Sequence, residues 1–158
     1  MSDKYFRMII KIMGDDFKVA SWQEFEELTR DIVDLYGFKT EFRKVFKNKK
    51  RKFEIDVVAE KENFCFAIDC KRYGHSRYRK SQLKSEALNH STRCKEFEKL
   101  KGKRIIPLIA SFLDDDLVVE NGCIFVPIKK VKRFFDKPGV LLGYPTSWFL
   151  LLGPWTGF

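Results

Sequence analysis

Cysteine is scarce in this chain and histidine scarcer. There are four cysteines, Cys65, Cys70, Cys94 and Cys123, and two histidines, His75 and His90. No cysteines stand in a CxxC pair or at zinc-ligand spacing, which excludes a zinc ribbon. Three of the four lie in apolar strand or helix patterns, so they read as reduced, buried thiols in a cytoplasmic protein. A secretory signal is also missing. Tyr5 to Met13 is apolar but broken by Arg7 and Lys11, and no small-residue cleavage site follows. Internal repeats and low-complexity stretches are absent. Charge is missing altogether from Gly139 to Phe158, yet Pro145 and Pro154 argue against the run of about 20 helical residues that crosses a bilayer. That segment reads as a cover for the core or a dimer contact.

Negative charge is the minority: 22 Asp and Glu stand against 31 Lys and Arg, a net charge of +9, which points to a polyanionic partner. Hydrophobic residues make up 44% of the chain, with 16 Phe, and this excludes disorder for most of it. At 158 residues the chain is expected to form one domain. We divide it into an N-terminal arm (1–20), a core (21–136) and the apolar C-terminal segment (137–158).

Periodicity places the elements. Ser21 opens a helix whose stripe is Trp22, Phe25, Leu28, Ile32, Val33, Leu35 and Tyr36, closed by Gly37. Phe38–Phe46 is a strand, followed by the basic turn Asn48-Lys49-Lys50-Arg51. Arg72–Lys80 is a loop and Ser81–Lys101 a long helix ended by Gly102. Arg104–Phe112 is an apolar strand. Val118-Val119 and Cys123–Val126 are short strands about an Asn121-Gly122 turn, and Ile128–Phe135 is a third helix. The order α-β-β-β-α-β-β-α predicts an α/β fold, with helices on the faces of a mixed sheet.

The stretch from Phe53 to Lys71 carries the chemistry. Both halves alternate with a period of two, and Glu62-Asn63 fits a two-residue turn. Lys61 then faces Phe64, Asp56 faces Asp69, and Glu54 faces Lys71. These four polar residues should share one sheet face, with Phe53, Ile55, Val57, Phe66, Ile68 and Cys70 on the other. Strand faces with Asp and Lys are commonly solvated faces with an ion pair. Here Val58, Ala67 and Cys65 share the polar face, so it is half buried. Opposed carboxylates there are expensive unless a cation joins them.

A helical third carboxylate is available. At about 100° per residue, Glu24 and Glu26 flank the apolar stripe of the first helix and Glu27 points away. Geometry leaves Glu24 or Glu26. The loop Arg72-Tyr73-Gly74-His75-Ser76-Arg77-Tyr78-Arg79-Lys80 leaves the strand that carries Lys71. Its basic residues suit phosphates and its tyrosines can stack on unpaired bases. Lys49, Lys50 and Arg51 form a second basic cluster. His75 reads as a phosphate or solvent contact and His90 as structural. Asp114-Asp115-Asp116 reads as a solvated loop.

Asp56, then Asp69-Cys70-Lys71, a basic loop and Gln82 resembles the PD-(D/E)XK nuclease superfamily. Within it, residues 21–136 are similar to Mrr-type restriction endonucleases and the related archaeal junction resolvases. Ile55 stands where the superfamily's name has Pro, and Asp69 where most Mrr-like members have Glu. The resemblance implies a restriction-endonuclease-like fold and a divalent-metal-dependent DNA endonuclease using Mg2+ or Mn2+, with a junction resolvase or a non-catalytic DNA-binding module as alternatives. It implies that Asp56, Asp69 and the Cys70 carbonyl hold the metal, that Lys71 orients water or stabilises developing charge, and that Gln82 joins the catalytic set. From Trp22-x-x-Phe25-Glu26 it picks Glu26 as the helical carboxylate. The expected partners are DNA and a second copy of the chain.

Overall fold

The computed structural model describes residues 22–61, 64–71, 77–111 and 119–136. The first apolar stripe winds into helix α1 (Trp22–Leu35), which buries Phe25, Ile32 and Val33. The chain leaves it through Gly37, whose φ of 80° is the left-handed conformation glycine adopts without a Cβ clash. Strands β1 (Lys39–Lys47), β2 (Lys52–Lys61) and β3 (Phe64–Lys71) follow as an antiparallel meander. Helix α2 (Arg79–Lys101) crosses back to β4 (Ile106–Ser111), which lies parallel to β3. The short hairpin of β5 (Val119–Glu120) and β6 (Cys123–Pro127) and helix α3 (Ile128–Asp136) complete the order. Asn121 and Gly122 both have positive φ, 49° and 79°, as a tight primed turn requires. The sheet runs β1-β2-β3-β4-β6-β5, with β3, β4 and β6 parallel.

Helices cover both faces. On one, α1 and α3 pack Phe25, Ile32, Phe134 and Phe135 against Val57, Phe66, Ile68, Leu108 and Val126. The Phe66 ring meets Phe38, Phe134 and Phe135 edge-on at centroid distances of 5.9, 5.7 and 5.3 Å. Full burial of one such side chain stabilises by about 1.5–3 kcal/mol. On the opposite face α2 lays Leu83, Ala87, Cys94 and Phe97 over Ile55, Val58, Ala67, Ile109 and Phe125. All four cysteines are free and buried, distributed over these clusters.

Three expectations change. Arg79 and Lys80 belong to the first turn of α2 and not to the preceding loop. The faces of β2 are not constant along the strand. Val57 and Ala59 face α1 and α3, whereas Phe53 and Ile55 join Val58 under α2. Phe42 and Phe46 of β1 divide in the same way. The switch lies between Phe42↔Val57 and Lys44↔Ile55, where Arg43 takes a φ of 51° and the ladder is interrupted. A left-handed residue within a strand bends it and re-aims the side chains that follow. Lastly, Glu54 does not pair with Lys71, because the β2–β3 ladder ends at Val57↔Ile68. The arm 1–20, the segment 137–158, Arg72, Tyr73, His75 and Asp114–Asp116 lie outside the described residues.

Candidate active site

Beyond Val57 and Ile68 strands β2 and β3 part, and the site is built at the fork. Parting removes a ladder acceptor from β3. Asp56 replaces it: its Oδ2 accepts the backbone N–H of Cys70 at 2.8 Å. This bond holds Asp56 against β3 beside Asp69, close enough for the two side chains to share a hydrogen bond. Asp69 and Lys71 face α2, and with Asp56, Glu54, Phe53, Arg51, Lys52, Asn89 and Arg93 they line one cavity of about 530 Å³.

The two carboxyls of the pair are pushed in opposite directions. Burial, followed by the charge of Asp69, pushes the Asp56 carboxyl up from 3.8 to about 8, so at neutral pH it keeps its proton. Asp69 is only 2% exposed. Burial alone would raise it, but His90, Lys71, the Asp56 hydrogen bond and Arg93 outweigh that and hold it below 3.8. Burial in turn keeps His90 below 6.5 and uncharged near pH 7, so Lys71 and Arg93 supply the charge there. Lys71 Nζ lies 3.1 Å from Asp69 Oδ2 and 3.3 Å from Glu86 Oε2. Burial works against its charge, but these carboxylates hold the ammonium above its ordinary 10.5. Even so, Asp69 Oδ2 is buried and receives no well-aligned hydrogen bond.

Glu26 reaches the fork from α1. It is 4% exposed, raises the Asp56 carboxyl through its charge, and pairs with Arg43 Nη2 at 3.2 Å. Glu24 is only half-buried. Among the described residues no three Asp, Glu, His or Cys side chains form a ready-made metal ligand set. The donors at the fork nevertheless fit a hard cation. They are carboxyl oxygens: Asp69 Oδ2, beside the Lys71 ammonium but without an aligned hydrogen bond, and the Asp56 carboxyl, kept protonated by burial and the Asp69 charge. Restriction-endonuclease-like domains generally use divalent metals.

The remaining expected residues fall around this centre. Cys70 sits between Asp69 and Lys71, its thiol fully buried on the α1 side. Gln82 is exposed on the first turns of α2, one turn before Glu86. The Asn48 turn is fixed by its own Oδ1, which accepts the N–H groups of Lys50 and Arg51, and by Asn48 Nδ2 donating to Glu96. Lys49, Lys50 and Arg51 are exposed there. Arg77 and Tyr78 are exposed before α2, where the Arg77 guanidinium lies 5.9 Å from the Tyr78 ring centroid. His90 is structural: its Nε2 must donate to the Ala67 carbonyl at 2.8 Å.

Reading the sequence missed Arg43, Glu86, Asn89 and Arg93. The last three had a signal. With Gln82 they recur at helical spacing on α2, a polar stripe along the side that faces the fork. Arg43 had none.

A forked mixed sheet with two aspartates and a lysine at its opening defines the PD-(D/E)XK, restriction-endonuclease-like class. Residues 17–104 match the restriction endonuclease family of the Mrr catalytic type, and the chain belongs to that family. It is 47% identical over 113 residues to an uncharacterized protein of Archaeoglobus fulgidus, spanning 72% of this chain and 88% of that one. Two crystal structures share the fold. The small subunit of the heterodimeric restriction endonuclease R.BspD6I has a TM-score of 0.56 at 12% identity, over 93% of this chain and 86% of that one. A protein of unknown function, AF1548, has a TM-score of 0.50 at 21% identity, over 77% and 67%. Among the described residues no helix is long and apolar enough to cross a membrane.

Proposed function

We propose that the protein is a divalent-metal-dependent DNA endonuclease that hydrolyses phosphodiester bonds. The carrying observation is the Asp56–Asp69 pair, one half-buried and the other buried, set side by side in a cavity that also holds Lys71. Asp56 and Asp69, with the Cys70 carbonyl, would hold Mg2+ or Mn2+. Such a cation withdraws charge from a phosphoryl oxygen and lowers the pKa of water. Lys71 places an ammonium beside Asp69, where it can orient the attacking water or offset charge developing on the phosphate. Glu26 would add a carboxylate from the α1 side on leaving Arg43. Gln82 lies on the helix that carries Glu86 and would contact substrate. Lys49, Lys50, Arg51, Arg72, Tyr73, Arg77, Tyr78, Arg79 and Lys80 would hold the DNA through phosphates and stacked bases. Two copies would act together on a duplex.

The test is cleavage of linear, circular, single-stranded and branched DNA with and without Mg2+ or Mn2+. Activity confined to branched DNA would make the enzyme a junction resolvase. Asp56→Ala and Asp69→Ala should each abolish cleavage and leave DNA binding intact or slightly tighter, since Asp69 carries a negative charge on the binding face and Asp56 gains one when a cation displaces its proton. Full activity in either variant would refute the assignment.

A further inference from the structure

Part of the cavity wall has no role in the hydrolysis proposed above, and of its residues only Arg51 has been given to DNA. This part is formed by Arg51 and Lys52 at the end of the β1–β2 turn and by Asn89 and Arg93 of α2, the last of which also reaches Asp69. Arg51, Lys52 and Asn89 are exposed, and Arg93 is half-buried. Three cations and an amide from two separate elements thus face one space that is continuous with the carboxylate pair.

We infer that this wall is a second phosphate seat, taking a DNA backbone phosphate that flanks the scissile one. The inference rests on the endonuclease reading. Several features support it. The turn is held in place by Asn48 and Glu96, and the Arg51 guanidinium lies 4.6 Å from the Phe53 ring centroid, so these cations stand on an ordered support. Arg93 is pre-positioned. Its Nη1 donates to the Glu54 carbonyl at 3.1 Å and lies 3.8 Å from Asp69 Oδ1. Both contacts use the same nitrogen, and a guanidinium has five N–H donors arranged in a fork that matches phosphate oxygens. The acidic groups on the cavity, Glu54, Asp56 and Asp69, oppose an anion. The last two are the groups a bound cation would neutralise. The cavity volume falls within the range of about 300–1,000 Å³ typical of ligand sites, so it has room beyond a single reacting group.

The rival role for Arg93 is a strap tying α2 to β2. Salt dependence separates them. Duplex DNA binding is measured in Ca2+ across a sodium chloride series for the wild type, Arg93→Gln, Arg93→Lys, Lys52→Ala and the double variant Arg51→Ala/Lys52→Ala. Each lost phosphate contact should reduce the slope of log K against log salt by about 0.9. Arg93→Gln should show that loss, Arg93→Lys should retain most of the slope, and the double variant should lose about twice as much. Since Arg51 already belongs to the wider DNA grip, the single variant Lys52→Ala, at an exposed position with no other assigned role, should lose one contact and decides the matter should Arg93→Gln fail to fold. Neutralising one backbone phosphate at a time with methylphosphonate should then reveal a position at which the wild type is weakened and Arg93→Gln is not. Wild-type slopes in Arg93→Gln and in Lys52→Ala overturn the seat. If those slopes persist and the wild type cleaves DNA, the endonuclease reading stands and the seat alone is lost. If the slopes fall but the wild type cleaves no DNA with any metal, the seat stands and the reading is lost.

Discussion

Lys71 is held by two carboxylates, and its role decides what its loss costs. A lysine that only satisfies the ion pair with the buried Asp69 would carry stability, about 3–5 kcal/mol on its loss, and little rate. One that stabilises charge in the transition state carries roughly 100-fold or more in rate. Lys71→Ala should therefore lose about 100-fold in cleavage while still binding metal and DNA. Glu54→Ala, which alters the same cavity without touching Lys71, should be much milder. Equal rates for wild type and Lys71→Ala would remove lysine from the mechanism. Asp56 offers a test that needs no substrate. The folded, metal-free protein keeps its proton up to about pH 8, whereas the unfolded chain releases it near 3.8. The folded state then binds more protons, so Asp56 makes stability fall as pH rises through that window. His90, depressed by burial, acts oppositely but only below 6.5. Asp69 acts only below 3.8. Between about pH 6.5 and 8 the downward slope of Tm belongs to Asp56, and Asp56→Asn should flatten it. Mg2+ should bind more tightly toward pH 8, because it competes with that proton.

At the scale of the element, the bend at Arg43 is the decisive feature. A non-glycine residue at a φ of 51° carries strain of order 1 kcal/mol, which glycine escapes. In an ordinary strand glycine is the poorer choice. Here Arg43→Gly should be more stable than Arg43→Ala by about 1 kcal/mol, measured by thermal or urea unfolding. Alanine ahead of glycine would mean the bend is unstrained. The same residue explains what the sequence concealed. The β2–β3 register from Lys61↔Phe64 to Val57↔Ile68 was legible because both arms alternate strictly and the expected turn, Glu62-Asn63, outside the described residues, leaves one solution. The change of face was not, since Lys39–Lys47 has no glycine, proline or asparagine to mark a left-handed position. The start of α2 was hidden for a related reason: Tyr78 stands at its N-cap and its side chain makes no capping hydrogen bond, so no capping residue announces it. The turn at Asn121-Gly122 and the cap at Gly102 were legible because each uses the residue its φ demands.

For the whole molecule, α2 joins what would otherwise be separate. It covers the sheet face opposite α1 and α3, and it brings Glu86, Asn89, His90 and Arg93 to the fork. The mixed sheet with helices on both faces followed from element order alone. The site needed three-dimensional detail wherever a long-range ion pair, such as Arg43–Glu26 or Lys71–Glu86, decided which charge serves which. The chain also carries internal reporters of its own opening. Burial pushes Cys65 up to about 12 and Cys123 to about 11, and holds Cys70 and Cys94 well above 9. A thiol reagent at neutral pH should find no target until the protein opens locally or globally, so labelling rates become opening free energies, cluster by cluster. Cys70 is adjacent to the parted strands, whereas Cys65 lies in the paired stretch opposite Glu60. Residue-resolved mass spectrometry should therefore find Cys70 labelled before Cys65 in the metal-free protein. Mg2+ should slow Cys70 more than Cys65. Identical Cys70 kinetics with and without Mg2+ would mean that no cation bridges the two aspartates beside it. The thiols thus time the closing of the fork in protein that need never meet DNA.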